Sequence, residues 1–311
     1  MKLKHAFTLL ALAATAHGQL AVMHTNGVVV SPANVSVLRT SIGVPSSFGT
    51  GSNSVIGGGL SNTASGLNSA VVGGLSNTAS GVAVTFEGAT ILEGRAFVGA
   101  GALNNALGAS SVVAGGGGNT VTEWASAIGG GNNNIISNRF SVIAGGLGNR
   151  IVGEGRESAI AGGYSNVVSN AHGFVGAGLF NVVGGAQAVI AGGANNTASG
   201  TGSAILGGER NTASAANATA AGSYAQATNA GAFVFSDTSS TNSFSSTNNN
   251  SFNIRAHGGL SLDLGANGIA FRNETNAAVT RTNLGLGSGI TTNVSSGTLQ
   301  FSNGILVGHT P

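Results

Sequence analysis

Cysteine is absent from this 311-residue chain, so no disulfide staples it and no thiolate centre for zinc or iron can form. Charge is scarce as well, at 6% of residues. The only lysines are Lys2 and Lys4, and beyond them nine arginines face nine acids. That balance leaves no basic field to attract nucleic acid or an anionic lipid surface. Without a lysine past residue 4, glycine-rich turns such as Gly115–Gly118 cannot be a Walker phosphate loop. Asp237 and Asp263 are the only aspartates, which excludes a calcium roll built on Gly-Gly-x-Gly-x-Asp. Proline occurs three times, and the 54 glycines follow no Gly-X-Y period, so the chain is not collagen-like. Disordered chains are poor in apolar residues; here 41% are apolar, and they recur in phase.

The phase belongs to a short unit repeated twelve times, beginning at Ser54, Ser69, Val84, Ala96, Ser111, Ser126, Ser141, Ser158, Gly173, Ala188, Ser203 and Ala218. The spacing is 15 residues except after Val84 (12) and after Ser141 (17). A fixed short period is the signature of stacked coils. With the first residue as +0, positions +1 to +3 are β-branched or small and read as a strand. Positions +4 and +5 are mostly glycine, where the strand stops and the backbone turns or packs closely. Position +8 is Asn62, Asn77, Asn104, Asn119, Asn134, Asn149, Asn166, Asn181, Asn196 and Asn211, with Leu92 and Gln226 as exceptions. Position +10 is apolar or small and reads as the inward residue of a second strand. Position +12 is mostly Gly or Asn and is expected to turn in the left-handed region.

These assignments predict an all-β, parallel β-roll or solenoid of about twelve coils over residues 54–230, with the asparagines aligned as a structural ladder. The all-apolar first strand predicts cover on both of its faces. A coil this narrow has one interior, so a second or third copy of the chain is the expected cover, most simply in a homotrimer. Residues 1–18 have the form of a signal peptide: two lysines, the apolar run Ala6–Ala16, and small residues at Ala16 and Gly18. The run is too short to span a bilayer. The expectation is therefore a secreted or cell-surface protein with no transmembrane segment after cleavage. Residues 19–53 read as a lead-in cap with strands at Gly27–Val30 and Val35–Leu38. Residues 231–311 read as a β-rich cap or trimerisation region that ends in a hairpin around Ser302-Asn303.

Units such as Ser141-Val-Ile-Ala-Gly-Gly-Leu-Gly-Asn149 and Ser158-Ala-Ile-Ala-Gly-Gly-Tyr-Ser-Asn166 resemble the YadA-like head repeats of trimeric autotransporter adhesins. The resemblance covers roughly residues 54–230. It implies left-handed parallel β-rolls that trimerise and bind an extracellular matrix protein, a glycan or another surface. No heptad stalk and no series of alternating barrel strands accompanies it. The phrase Val279–Gly287 is similar to one in phage tail-fibre proteins, which supplies one alternative reading.

Neither an enzymatic role nor a cofactor is expected. His24, His172, His257 and His309 are isolated in sequence. Glu154 and Glu157 stand among arginines, as a solvated charged turn would, rather than as a glycosidase pair. Thr63, Thr78, Thr120, Thr197 and Thr212 share position +9, and an ice- or crystal-binding solenoid is a second alternative. That row is interrupted by Asn105, Ile135, Arg150, Val167 and Val182. The candidate binding surfaces are the two irregular units. One is the short unit at Val84 with Phe86, Glu87 and Glu93; the other is the long unit with Arg150, Glu154, Arg156 and Glu157.

Overall fold

The computed structural model describes residues 22–24, 27–29, 48–82, 84–86, 89–91, 94–153, 156–261, 298–302 and 305–310. The expected signal peptide, the strand at Val35–Leu38, the candidate residues Glu87, Glu93 and Glu154, Asp263 and the phrase Val279–Gly287 lie outside these residues. The chain divides into two units, Met1–Gly259 and Leu260–Pro311.

The first unit is a parallel β-solenoid, and no helix occurs among its described residues. Its coils build two sheets of 13 strands each. The first sheet collects positions +1 and +2, from Val55–Ile56 to Phe252–Arg255. The second collects +9 and +10, from Phe48–Gly49 to Phe244–Ser245. Most strands are two residues long, because a fifteen-residue coil must also turn twice. Each strand pairs in register with the same position one repeat on, as in Val142↔Ala159 and Ile143↔Ile160. Between the sheets, the +4 to +7 corner is stitched by a further parallel pair at +6, as in Leu147↔Tyr164.

The interior is two facing columns. Val113, Ile128, Ile143, Ile160 and Val175 point in from the first sheet; Val121, Ile136, Ile151, Val168 and Val183 point in from the second. All are fully or almost fully buried. Burial of such a side chain contributes roughly 1.5–3 kcal/mol, so each central coil supplies its own share of the core.

Three positions carry the turns. At +5, glycine has a left-handed φ, for example 100° at Gly146. A Cβ there would stand 2.3 Å from the Gly163 carbonyl oxygen of the next coil. At +7 and at +14 the backbone is also left-handed, with side-chain-bearing residues such as Ser165 and Phe180 at +7, and Phe140, Glu157 and His172 at +14. The expected left-handed position at +12 is corrected. Gly81 and Gly153 have positive φ there, but Gly66, Gly108, Gly185 and Gly200 do not. These four are glycine because the adjacent coil is too close: a Cβ on Gly200 would meet the Ala215 carbonyl oxygen at 2.0 Å. At +4 neither reason applies in most coils, Gly207 with its φ of 141° being an exception. The φ is not left-handed at Gly58, Gly130, Gly145 or Gly162, and a Cβ there meets nothing within 4 Å.

Two assignments of the repeat change. The unit at Val84 is not a coil. Ala70–Val71 pairs directly with Phe97–Val98, and Val84–Phe86 forms an antiparallel hairpin with Ala89–Ile91 outside the stack. That copy lacks the glycine at +5 and the asparagine at +8, and its alternating residues suit a hairpin. The solenoid also runs past residue 230, because Phe233–Ser236 and Phe252–Arg255 continue the first sheet. Outside the stack, Val22–His24 and Gly27–Val29 form a hairpin. In the second unit, Thr298–Ser302 pairs antiparallel with Ile305–Thr310, where the terminal hairpin was expected.

The two glycines of one turn should therefore behave oppositely. Gly146→Ala is expected to destabilise the solenoid by roughly 2–4 kcal/mol, through strain and the clash with Gly163. Gly145→Ala is expected to leave the stability of an isolated chain within about 0.5 kcal/mol. Thermal melts of dilute protein compare them.

Candidate binding surface

The ten asparagines at +8 stack in the interior of one corner, and all are buried. Asn149 shows how each is used. Its Nδ2 donates to the Gly145 carbonyl of its own coil (3.1 Å) and to Gly163 of the next (2.9 Å). Its Oδ1 accepts from the backbone N–H of Asn166 and from the Asn166 Nδ2, both at 3.0 Å. Each amide thus satisfies the +4 carbonyl and the +8 N–H of the turn, and adds a second bond to the +5 carbonyl of the next coil, as at Gly163, which also accepts from the Leu147 N–H. The ladder ends where the Asn211 Oδ1 accepts from the Ala225 N–H at 2.9 Å. A second row runs along the opposite corner at +0. The Ser126 Oγ accepts from the Ser141 N–H (3.0 Å), and the Ser141 Oγ from the Ser158 N–H (3.1 Å). These side chains are consumed by the fold and are not available to a ligand.

The charged candidates of the long unit do not form one group. Arg150 lies in the second sheet, outward and exposed, between Ile135 and Val167. Arg156 and Glu157 sit at the far corner, at +13 and +14, after the two extra residues. Glu154 is outside the described residues.

At that far corner the stacking assembles a cluster that no single repeat announces. Arg156 pairs in parallel with Arg139 of the preceding coil. The Phe140 N–H donates to the Trp124 carbonyl (3.2 Å), and the two rings lie 5.0 Å apart with 57° between their planes. Glu123 reaches Arg139, with Oε2 3.6 Å from Nε. Glu157 reaches His172, with Oε2 3.1 Å from Nδ1. Glu123, Trp124, Arg139, Phe140 and His172 were absent from the sequence-derived candidates. The signal was present in the alignment, at +12 to +14 of consecutive copies, but it has no repeat pattern of its own.

The opposite side of the coil is apolar. On the outer face of the first sheet Val55, Phe97, Val142, Phe174 and Val189 stand at +1 and are exposed, Val142 by 47%. Around the adjoining corner Leu60, Leu75, Leu147, Tyr164 and Leu179 stand exposed at +6. The open glycines of +4 lie between these two rows.

The last coil is closed by a polar clamp. Arg255 donates to the Asn242 carbonyl (2.8 Å), to the Ser236 Oγ (2.5 Å) and to the Ser240 carbonyl (3.3 Å), and its guanidinium lies over the Phe244 ring. The Asp237 carboxylate accepts from the Ser239 hydroxyl (2.5 Å) and from the His257 N–H. Those bonds, the Ser239 hydroxyl first, hold the Asp237 pKa below its ordinary value.

Among the described residues no group of three or more His, Asp or Glu is placed to hold a metal ion, and no helix is long and apolar enough to cross a membrane. The architecture defines a parallel β-solenoid protein with one apolar side and one charged, aromatic corner. No family model matches the chain, and no curated protein matches it.

Asn149→Ala removes the donor to Gly145 and Gly163 and the acceptor for Asn166, and is expected to cost about 2–4 kcal/mol in a thermal or chemical melt. The clamp has a pH signature. A carboxylate whose pKa is lowered by folding stabilises above its unfolded pKa, and that contribution is lost as pH falls through the lowered folded value. The protection of the residue 252–257 amides, relative to their intrinsic exchange at each pH, is therefore expected to fall in that acid range, and Asp237→Asn to remove that pH dependence.

Proposed function

We propose that this chain is an exported, non-enzymatic structural and binding protein that associates in threes to present an adhesin-like β-roll head. One observation carries the reading: the apolar outer side of the first sheet, together with the open +4 row beside it. A long exposed apolar strip is unusual on a monomeric protein and marks an association surface. The chain's own geometry does not require glycine at Gly58, Gly130, Gly145 or Gly162. Close approach by another copy supplies the reason, since a side chain there would hold the two apart. A closed three-fold arrangement covers the same strip on every copy and leaves none open to further growth. Export rests on residues 1–18. The non-enzymatic reading rests on the shortage of carboxylates and on the missing cysteine and late lysine. A matrix protein, a glycan or another surface is the partner class.

An ice- or crystal-binding role has one observation in its favour, the in-register threonine pairs Thr63↔Thr78 and Thr197↔Thr212 on the second sheet. Ile135, Arg150, Val167 and Val182 stand between those pairs and break the flat hydroxyl face. Thermal hysteresis by the purified protein would favour that role.

Mass photometry of residues 19–311 is expected to give three chain masses; a single chain mass overturns the association. Gly145→Glu is expected to preserve the coil's circular dichroism and melting in a dilute chain while disrupting the trimer. If that variant associates as well as the parent, this face is not the interface.

A further inference from the structure

The charged corner has features that the fold does not need. Elsewhere the same turn is built from Ala109-Ser110, Ala186-Gln187 and Ala216-Asn217, with the same backbone bonds from +14 to the preceding coil. In the four coils that begin at Ser111, Ser126, Ser141 and Ser158 it instead carries two aromatic rings and a run of planar polar groups. These rings and planar groups stand one coil apart, at the 4.7–4.9 Å spacing of paired strands, to about one strand separation. That rise is close to the length of one pyranose in an extended chain, so successive coils meet successive sugars.

The chemistry of the corner fits such a chain. Aromatic rings stack on the C–H faces of sugars, and guanidinium and carboxylate groups bond pairwise to neighbouring oxygens. Glu123 is engaged with Arg139, and Glu157 with His172. The Arg156 guanidinium, beside Arg139, has no ion-pair partner among the described residues and is exposed. A guanidinium with no ion-pair partner among the described residues, set next to a second one, suits a carboxylate on the ligand. A second observation comes from beneath the surface. The Asn138 side chain, next to Arg139, is 3% exposed, and neither its Nδ2 nor its Oδ1 has a hydrogen-bond partner. Buried polar groups left in this state are uncommon and call for an explanation, which a bound polar chain at this corner supplies.

We propose that this corner is a binding platform for an extended acidic polysaccharide, with Trp124 and Phe140 as the stacking surface and Arg156 as the carboxylate anchor. The proposal rests on the reading of the protein as a binding rod, but not on its three-fold association.

Trp124 is the only tryptophan in the chain, so its fluorescence reports on this corner alone. Titration of residues 19–311 with polygalacturonate oligomers is expected to give a saturable change that weakens with added salt, and dextran of equal length to give none. Arg156→Gln is expected to weaken apparent affinity about tenfold or more, with melting temperature and particle mass unchanged. Phe140→Ala, which keeps the reporter, is expected to weaken it as well. No saturable response to polygalacturonate, an equal response to dextran, or unchanged affinity in Arg156→Gln overturns the proposal. A blank titration by a particle of three chain masses would remove this site and leave the rod reading standing.

Discussion

The structure depends on what happens to backbone polar groups at the corner between the two sheets. A coil of fifteen residues cannot spare long strands, so much of its backbone is turn. Turn amides and carbonyls buried against a neighbouring coil must still find partners. Asparagine answers this at +8 because it carries a donor and an acceptor on one short side chain. In Asn149 and Asn166 both are spent on backbone and on the adjacent amide. Aspartate would bring a buried charge with no donor, and glutamine a longer arm that the spacing of four residues to Gly145 does not accommodate. The +5 glycines follow from the same bond, since the carbonyl that receives the amide lies where a Cβ would be.

Core and ladder divide the work between them. The two inward columns supply the apolar driving force, coil by coil. The ladder fixes register, because slipping one coil by a residue would turn Ile143 outward and break the amide stack together. Stability is therefore spread along the stack in near-equal increments and is close to a sum over neighbouring pairs. The ends differ, as they must: alanines replace larger residues in the second-sheet column at Ala64, Ala79, Ala198 and Ala213. The last coil is held by the Arg255 clamp in place of the asparagine, whose row has stopped at Asn211.

Most of this architecture was legible in the residues. The period, the parallel stack, the inward +10 position and the asparagine row all follow from features that recur in nearly every copy. What was not legible has physical causes. Val84-Thr-Phe86 suits a coil strand and a hairpin strand equally, and only the direct pairing of Val71 with Val98 decides between them. Glycine at +12 answers to the nearness of the adjacent coil at Gly66, Gly108, Gly185 and Gly200 and to a left-handed φ as well at Gly81 and Gly153, and a sequence does not distinguish those reasons. Trp124 and Phe140 are 16 residues apart in the chain and Phe140 and His172 are 32, yet they stand on coils one and two steps apart in the stack. Their grouping belongs to the stack and not to any copy of the repeat.

Within the coils that carry the asparagine ladder, both departures from the fifteen-residue length enter the stack at one place; past Asn211 the corner between the two sheets varies instead, losing a residue between Ala220 and Gly222 and gaining several between Ser236 and Phe244. The hairpin around Val84–Ile91 and the two extra residues at 154–155 each follow position +12 and precede +13. As long as the ladder runs, the other corner has no such freedom, because the amide at +8 must span back to the carbonyl at +4. Lengthening the chain at the permissive corner leaves the amide stack and both inward columns undisturbed. The solenoid thus has a built-in grafting seam, where a foreign loop can be carried by any chosen coil and its height along the stack set by which coil receives it.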